Sequence, residues 1–504
     1  MSSGWSSNDW SPGWVDAASD PAEWRLKTSV VIPAYGRPDQ LDVLLEALTQ
    51  QRYPSHLTEV IVVDDGSDPP LDLKIPEGLD VTVLRQERDG FGLARARNLG
   101  ARSAKGDVVV FFDADMIPET GWLEAHARPH HHHSPLAGIG PRTHVSRLEI
   151  GMDEIRSGTP IDVLLAERDP ERPEWILDRW RTTDDGRIGA DIWWGMSGGN
   201  FSVDRELFLE VGGYDEDGFK EWGGEDNDLG YRVYQRGAFV VPIHEAMAWH
   251  LGPATNDSAD IDERRRRIKI RLASRVASAA LPRAPGITPR IPDIAVQIVT
   301  PVESFERGVR QVGEILSDSV EASIRVSLTA HEESEQVLLA DYLVSEPRVV
   351  IGAPDTEMSF APVTVRWGGD EWPGGLGRWL LESVGEATSA VVRVQGGSAT
   401  AIAWSTRILR QVEAGLFDEP TAYDRFGGHT LTWEDAMNQI VAMASAESEE
   451  WHRRANAANT KLAEMSNRRA VRLANSLGSL GRARSWDELR KAAGSVARAS
   501  GIKS

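Results

Sequence analysis

The chain of 504 residues contains no cysteine. That excludes a disulfide framework, a thiolate nucleophile and any zinc or iron–sulfur site built on sulfur, so a metal would have to sit on carboxylates and imidazoles. Long apolar runs are missing as well. The longest stretches, such as Val108 to Phe112, are strand-length and fall far short of the ~20 residues that span a bilayer. The pattern predicts a soluble chain and argues against one that exports a product through its own membrane helices. Basic residues are in deficit: 55 Lys+Arg face 77 Asp+Glu, a formal charge of −22. So acidic a body makes nucleic acid a poor partner, since phosphates need a basic surface. The amino-terminal stretch carries Trp5, Trp10, Trp14 and Trp24 among Ser, Gly, Pro and Asp. It has neither the basic n-region nor the apolar h-region of a signal peptide, and a cytoplasmic location is expected.

At about 100–200 residues per domain, the length predicts two or three domains. Thr28 to Pro33 reads as a buried strand, Asp39 to Gln50 as a helix with Leu41, Leu44, Leu45 and Leu48 on one face, and Glu59 to Val63 as a second strand. That strand ends in Asp64-Asp65-Gly66-Ser67. Strand, helix, strand with acids at the carboxyl end is a βαβ unit whose ligand crevice lies at that end. A third strand near Val81 to Leu84, a helix over Leu93 to Ser103 and a fourth strand, Asp107 to Phe112, lead to Asp113-Ala114-Asp115.

Pro282 to Pro292 holds four prolines in eleven residues and reads as a linker. Beyond it the pattern restarts. Val299-Thr300-Pro301 and its following helix match Val31-Ile32-Pro33, and Ala390 to Trp404 can be laid on Val108 to Trp122 without a gap. In that register Gln395-Gly396-Gly397 replaces Asp113-Ala114-Asp115, so the second copy keeps strands and loses carboxylates. The expected organisation is a Trp-rich extension over 1–26, an α/β domain over 27–281, a linker over 282–292, a degenerate copy over 293–432 and a helical region over 433–504. Within that last region Arg453 to Ser504 carries 12 Lys+Arg against 3 Asp+Glu, a net +9.

Asp113-Ala114-Asp115 sets two carboxylates around a small residue just beyond a buried strand. Neighbouring anions repel and desolvation penalises both, so the pair must face solvent or share a cation. A divalent ion held by one or two carboxylates can also bind a diphosphate; a strand-end pair capping the next turn is the plainer alternative. In Asp64-Asp65-Gly66-Ser67, Asp65 could accept from a base or ribose while Gly66 permits the turn, against a purely local Asx-turn. Trp222-Gly223-Gly224-Glu225-Asp226-Asn227-Asp228 precedes a helical stretch through Tyr231, Val233 and Tyr234. Acids suit a helix start, but the two glycines argue for close approach of a ligand, and a carboxylate facing a bound hydroxyl can take its proton. Met247-Ala248-Trp249-His250 follows a short strand over Ala238 to Pro242. Beside strand-end aspartates, His250 is a candidate metal ligand as well as a structural histidine. His130 to His133 cannot all converge on one ion and read as loop.

In order, TSVVIPAYGRP, VIVVDDGSD, LARARNLGARSAKGDVVVFFDADMIPETGW, MSGGNFSVDRELFLEVGGYDEDGFKEWGGEDNDLGYR and AMAWH resemble the family 2 glycosyltransferases of the GT-A fold. Within the family the likeness runs to the bacterial chondroitin polymerases, which carry two GT-A domains in tandem. The WGGED segment and the Met-x-x-His spacing also resemble those of animal β-1,4-galactosyltransferases.

The resemblance implies an α/β GT-A nucleotide-sugar-binding fold, a degenerate GT-A-like second domain and a helical carboxyl-terminal tail. It implies an inverting, metal-dependent transfer from a UDP-sugar to a hydroxyl of a glycan, a lipid-linked sugar or another acceptor. Pro33, Tyr35 and Arg37 would lie beside the nucleotide, Asp65 would bind uracil or ribose, and Arg97 and Asn98 would line the donor site. Asp113 would contact ribose or metal. Asp115 would be the main ligand of Mn2+ or Mg2+, completed by His250 and Met247. Asn200, Trp222 and Glu225 would shape the acceptor pocket, with Glu225 beside Asp226 as the catalytic pair and Asp226 as the base; Asp228 is the spare acid. The rivals are a retaining enzyme of the polypeptide GalNAc transferase type and a non-catalytic module that binds glycan or a partner. Co-sedimentation with anionic liposomes, with and without Arg453 to Ser504, tests the tail. Binding that vanishes on truncation assigns it to a membrane surface, and equal pelleting to a solvated helix face or a protein contact.

Overall fold

The computed structural model describes Asn8, Trp10 and most of residues 24–432, apart from 146–149, 166–169, 172–173, 188–191, 253–259, 279–280, 282–288, 319–322, 370, 385–390, 397–398 and 416–427, with a few positions between 435 and 439. Most of the Trp-rich extension, the proline-rich part of the linker, Gly397 and the whole basic tail therefore lie outside the described residues.

β1 (Thr28–Ala34), β2 (Thr58–Asp64) and β3 (Val81–Arg85) alternate with α1 (Pro38–Leu48) and α2 (Leu93–Ser103), followed by β4 (Val108–Phe112), β5 (Met116–Pro118), α3 (Trp122–His130), β6 (Leu136–Ile139) and β7 (Arg142–Val145). Next come α4 (Met152–Arg156), α5 (Ile161–Leu165), β8 (Pro170–Glu171), α6 (Glu174–Thr182), β9 (Asn200–Asp204), α7 (Arg205–Glu210), α8 (Glu225–Gln235), β10 (Phe239–Pro242), β11 (Ala248–Leu251) and α9 (Asp260–Ala273). α1 starts at Pro38, whose fixed φ and missing N–H suit a first helical position. β1 is buried along its whole length, so it reads as a continuous apolar run. Its side chains nevertheless alternate. Val31 joins Ile61, Val63, Val109 and Phe111 on one face, while Val30 and Ile32 join Val60, Val62, Val110 and Phe112 on the other.

The main sheet has the order β10-β6-β9-β4-β1-β2-β3, with β9 antiparallel to both β4 and β6 and the other pairs parallel. A smaller sheet, β5-β11-β7-β8, stands beside it. Beyond the linker lie β12 (Ile294–Ile298), α10 (Phe305–Ser317), β13 (Ile324–Leu328), α11 (Glu333–Leu343), β14 (Val349–Ile351), β15 (Val363–Gly368), α12 (Leu376–Ser383), β16 (Val391–Gly396), β17 (Ala399–Ser405), α13 (Thr406–Glu413) and β18 (Gly428–Thr432). Their sheet runs β14-β13-β12-β15-β17-β16-β18 with β17 antiparallel to both neighbours. This repeats the first sheet strand for strand. The α/β fold with a degenerate second GT-A-like copy is what the structure has.

The internal register differs from the expected one. Ala390 to Trp404 does not copy β4; it forms β16 and the greater part of β17, which pair with each other and correspond to β6 and β9. Trp404 lies opposite Thr364 and Val391 and is no counterpart of Trp122. The partner of β4 is β15: Val108 faces Thr28 and Asp204, and Val363 faces Ile294 and Ser405. Gly368-Gly369-Asp370, rather than Gln395-Gly396-Gly397, then stands where the first copy has Asp113-Ala114-Asp115, with Asp370 outside the described residues. Val299-Thr300-Pro301 likewise follows β12 instead of forming it. An apolar alternation identifies a strand but not its neighbours, which only pairing decides.

Among the described residues no helix is long and apolar enough to cross a membrane. Phe111 sits at the centre of one core layer, its ring 5.0 Å from Phe208, 5.6 Å from Tyr214 and 6.0 Å from Phe201. Phe111→Ala should lower unfolding free energy by about 3–5 kcal/mol in urea titration, the usual loss for a buried phenylalanine.

Candidate functional site

The site is built around one buried guanidinium. α2 carries Arg97, which is 1% exposed, into the crevice at the carboxyl ends of the main strands. Its Nη2 donates to Asp113 Oδ1 at 2.9 Å, just past β4, and its Nη1 donates to Asp226 Oδ1 at 3.1 Å, in the first turn of α8. Glu225 Oε1 lies 4.0 Å away, and the Tyr214 ring lies under the guanidinium at 5.2 Å. Burial alone would disfavour the charge, but Tyr214, Asp113, Asp226 and Glu225 together raise the pKa of Arg97 above its ordinary value. Burial also pushes the Tyr214 hydroxyl up, and among the described residues that hydroxyl has no hydrogen-bond partner.

Glycines make this approach geometrically open. A Cβ on Gly198 would fall 2.3 Å from Asp226 Oδ1 and 2.5 Å from Arg97 Nη1, and one on Gly199 2.2 Å from Asp113 Oδ2. Gly223 and Gly224 adopt φ of 104° and 97°, conformations that favour glycine, and turn the chain into α8. Glu225 is buried and accepts from the Gly223 N–H at 2.9 Å. Desolvation, reinforced by the neighbouring Asp226 charge, pushes it up to about 7. Asp226 keeps a quarter of its side chain exposed. Asp228 is buried and tied to Arg232 at 2.7 Å, so the spare acid of the motif serves the packing of α8.

At one end of the crevice His250, in β11, points Nε2 at Asp115 Oδ2, 3.4 Å away. Burial would raise Asp115, but the His250 hydrogen bond and charge, with help from Arg37, hold it below the ordinary value. His144, directly opposite His250 in β7, lays its ring 4.5 Å from the His250 ring. The Met247 thioether accepts from Thr143 Oγ1 at 3.5 Å, and Asp113 is paired with Arg97. Oxygen and imidazole nitrogen side by side, with His250 Nδ1 left without a partner, fit a divalent cation whose remaining positions go to phosphate and water. Among the described residues no group of three or more His, Asp and Glu could hold an ion alone.

At the other end Asp64 and Asp65 separate in role. Asp64 accepts from the Ser67 N–H at 2.8 Å and pairs with Arg85, the local turn anticipated for this motif. Asp65 accepts from Gln86 Nε2 at 2.7 Å and lies 3.5 Å from Arg88 Nη1, and the Arg88 guanidinium stacks 3.5 Å over the exposed ring of Tyr35. Gly92 lies so close that a Cβ would be 2.1 Å from Asp65 Oδ1. Pro33 lies in buried β1, and Arg37 starts α1 in the left-handed region at φ 55°.

Two expected site residues face elsewhere. Asn200 is 1% exposed and enclosed: Trp122 Nε1 donates to its Oδ1 at 2.7 Å, His126 Nε2 lies 2.9 Å from the same oxygen, and its Nδ2 donates to the carbonyls of Pro141 and Ala246 at 2.8 Å. It clamps strands together and does not line an acceptor pocket. Asn98 donates to Tyr214 O and Glu216 Oε1 at 2.8 Å each and accepts from the Tyr214 N–H, so it anchors the loop that brings up Tyr214 instead of lining the donor site. His130 is no loop residue either. It ends α3, buried, with Nδ1 2.7 Å from Asp204 Oδ1. Trp222 is 59% exposed beside the glycine turn, open to a ligand. Sequence reasoning missed Tyr214, Gln86, Arg88 and His144.

Residues 29–208 match the model described as glycosyl transferase family 2, and residues 191–244 match the N-terminal domain of galactosyltransferase. Over 272 residues the chain is 30% identical to a chondroitin synthase of Pasteurella multocida, covering 50% of this chain and 27% of that protein. It is 32% identical over 232 residues to polypeptide N-acetylgalactosaminyltransferase 3 of Drosophila melanogaster, covering 42% of this chain and 33% of that one. The matched part is thus about a third or less of either relative's length. A solved mannosyltransferase of Pyrobaculum calidifontis, in complex with GDP-Man and Mn2+, is similar at 19% identity and a TM-score of 0.33, covering 53% of this chain and 66% of that one.

The raised Glu225 carboxyl has a consequence for stability. The folded state holds this proton between the ordinary 4.5 and about 7, so the associated stability is present below 4.5 and lost as pH rises through 7. Glu225→Gln carries no charge at either limit. Thermal unfolding should find it matching the parent at pH 4 and more stable than the parent at pH 8.

Proposed function

Since its first α/β domain belongs to the family 2 glycosyltransferases, we propose that this chain moves a sugar from a UDP-linked donor to an acceptor hydroxyl with inversion at the anomeric carbon. One observation carries the reading: the buried Arg97 guanidinium joins Asp113, on the donor side, to Asp226, at the start of α8.

Tyr35, Asp65 and Arg88 supply a ring, a carboxylate and a cation for the base and ribose, with Arg37 beside the diphosphate. Asp115 and His250 would hold Mn2+ or Mg2+, which when bound neutralises the diphosphate leaving group; Met247, already bonded to Thr143, and Asp113, already paired with Arg97, stand behind them. Trp222 offers an exposed aromatic face to an acceptor sugar. Asp226 is the part-exposed acid and Glu225 the buried one. Asp226 therefore faces the acceptor hydroxyl and takes its proton as the hydroxyl oxygen bonds the anomeric carbon. The bond to the diphosphate breaks on the opposite face, so an α-linked donor gives a β-glycoside. Arg97, bonded to Asp226 at 3.1 Å, holds it in place during that transfer.

The acceptor is a glycan, lipid-linked or similar hydroxyl, and the site of action is the cytoplasm or its membrane face. Purified Asp226→Asn should lose 10²–10⁴-fold in the rate of Mn2+-dependent UDP release to acceptor, while calorimetry finds UDP affinity within threefold of the parent. A rate near the parent's removes Asp226 as the base. An α-linked product, read by NMR, moves the chain to the retaining class.

A further inference from the structure

The second sheet has Gly368-Gly369 where the first has Asp113-Ala114, yet its helix α13 touches the helix that carries Asp226. Arg407, 2% exposed, donates from Nη1 to the carbonyl oxygens of Tyr234 and Ala238, both at 2.6 Å, and its guanidinium lies 4.1 Å over the Tyr234 ring. Tyr234 lies in the last turn of α8, where the dipole favours a cation and its carbonyl also accepts from the Gly237 N–H at 3.0 Å, and Ala238 lies three residues past the end of the helix. One turn further along α13, Gln411 Nε2 donates to Gly237 O at 3.0 Å. Gly237 has φ 93°, and a Cβ there would sit 3.2 Å from Arg410 Cβ and Gln411 Cγ, so the two segments meet this closely only at a glycine.

A third segment completes the junction. Asn8 Oδ1 accepts from Arg407 Nη2 at 3.0 Å and from the Val240 N–H at 2.9 Å, while its Nδ2 donates to Gly186 O and Val240 O at 2.8 Å. The outer edge of β10, which ends the main sheet, is thereby hydrogen-bonded.

The opposite end of α8 is held differently. Its cap is Gly224, so side chains locate the first turn: Asp226 is bonded to Arg97, Asn227 Nδ2 donates to Trp194 O at 3.0 Å and Asp228 lies 3.6 Å from Arg275 Nε. α8 has eleven residues, about 16 Å at 1.5 Å per residue. A tilt at Tyr234 is therefore felt at Asp226, and small displacements of a reacting group are expensive in rate.

We propose that the second GT-A-like domain is a brace for α8, with Arg407 as the positioning residue that sets where Asp226 stands; this rests on the reading of Asp226 as the base. Donor binding, on β1, β2 and β4, does not depend on it.

The test uses the full chain as wild type, Arg407→Leu, Arg407→Lys and Gln411→Ala. Hydrogen–deuterium exchange is read at Asp228 to Tyr231, near the amino end of α8, UDP binding with Mn2+ by calorimetry, and turnover as UDP release from UDP-glucose, UDP-N-acetylglucosamine and UDP-glucuronate. Arg407→Leu should speed exchange at Asp228 to Tyr231 at least tenfold and lower kcat at least tenfold, with donor KM and UDP affinity within twofold. Arg407→Lys should recover part of both, and Gln411→Ala should shift both in the same direction by less. Exchange confined to Tyr234 to Ala238, or an unchanged kcat in a folded variant, overturns the brace. If Arg407→Leu does not fold, Arg407→Lys and Gln411→Ala decide by the same criteria. If wild type turns over no UDP-sugar the proposed activity fails, and the exchange at Asp228 to Tyr231 still decides whether α13 holds α8.

Discussion

The arrangement depends on keeping one positive charge out of water. Arg97 is almost fully enclosed, and a guanidinium in that position persists only when carboxylates and hydrogen bonds offset its desolvation. Asp113 and Asp226 do so from two different elements, and Glu225 and Tyr214 close the remaining sides. Because these partners come from three separate segments, the guanidinium aligns the end of β4, the start of α8 and the loop after α7 in one place. Asn98, the next residue on α2, secures that loop by both faces of its amide.

Around this centre the chemistry is graded by exposure. Glu225 is buried and pushed toward neutrality, Asp226 is partly open, and Trp222 stands in solvent. The grading follows from the glycine turn, which lets the chain enter α8 with its first acid inward and its second outward. Asp115 and His250 form a separate pair, brought together because β11 lies between β5 and β7 in the small sheet. In the proposed reaction the acceptor hydroxyl would meet the first group and the diphosphate leaving group the second.

Much of this was legible beforehand. β1, α1, β2, α2 and β4 fall within a residue or two of their expected bounds, because buried parallel strands are apolar throughout and α1 repeats its leucines at helical spacing. Asp65, Asp113, Asp115, Asp226 and His250 were named from strand ends and helix starts; the structure ties Asp113 and Asp226 to Arg97, sets Asp115 beside His250 and pairs Asp65 with Gln86 and Arg88. Asn98 and Asn200 were misjudged. Their neighbours in the chain face the site, but an asparagine's amide is equally suited to clamping backbone, and burial sends it inward. The second copy's existence was also visible, whereas its register was not.

Residue order by itself determined the secondary structure, the acidic strand ends, the glycine turn before α8 and the presence of a decayed repeat, since each is a local pattern of polarity and backbone freedom. Only tertiary structure decided that Arg97 serves Asp113 and Asp226 at once, that His144 lies beside His250, that β15 rather than β16 copies β4, and that Arg407 reaches the far end of α8. Those are contacts between positions as much as 173 residues apart. Their energy comes from desolvated charge and shared hydrogen bonds, terms that arise only once the chain has enclosed them.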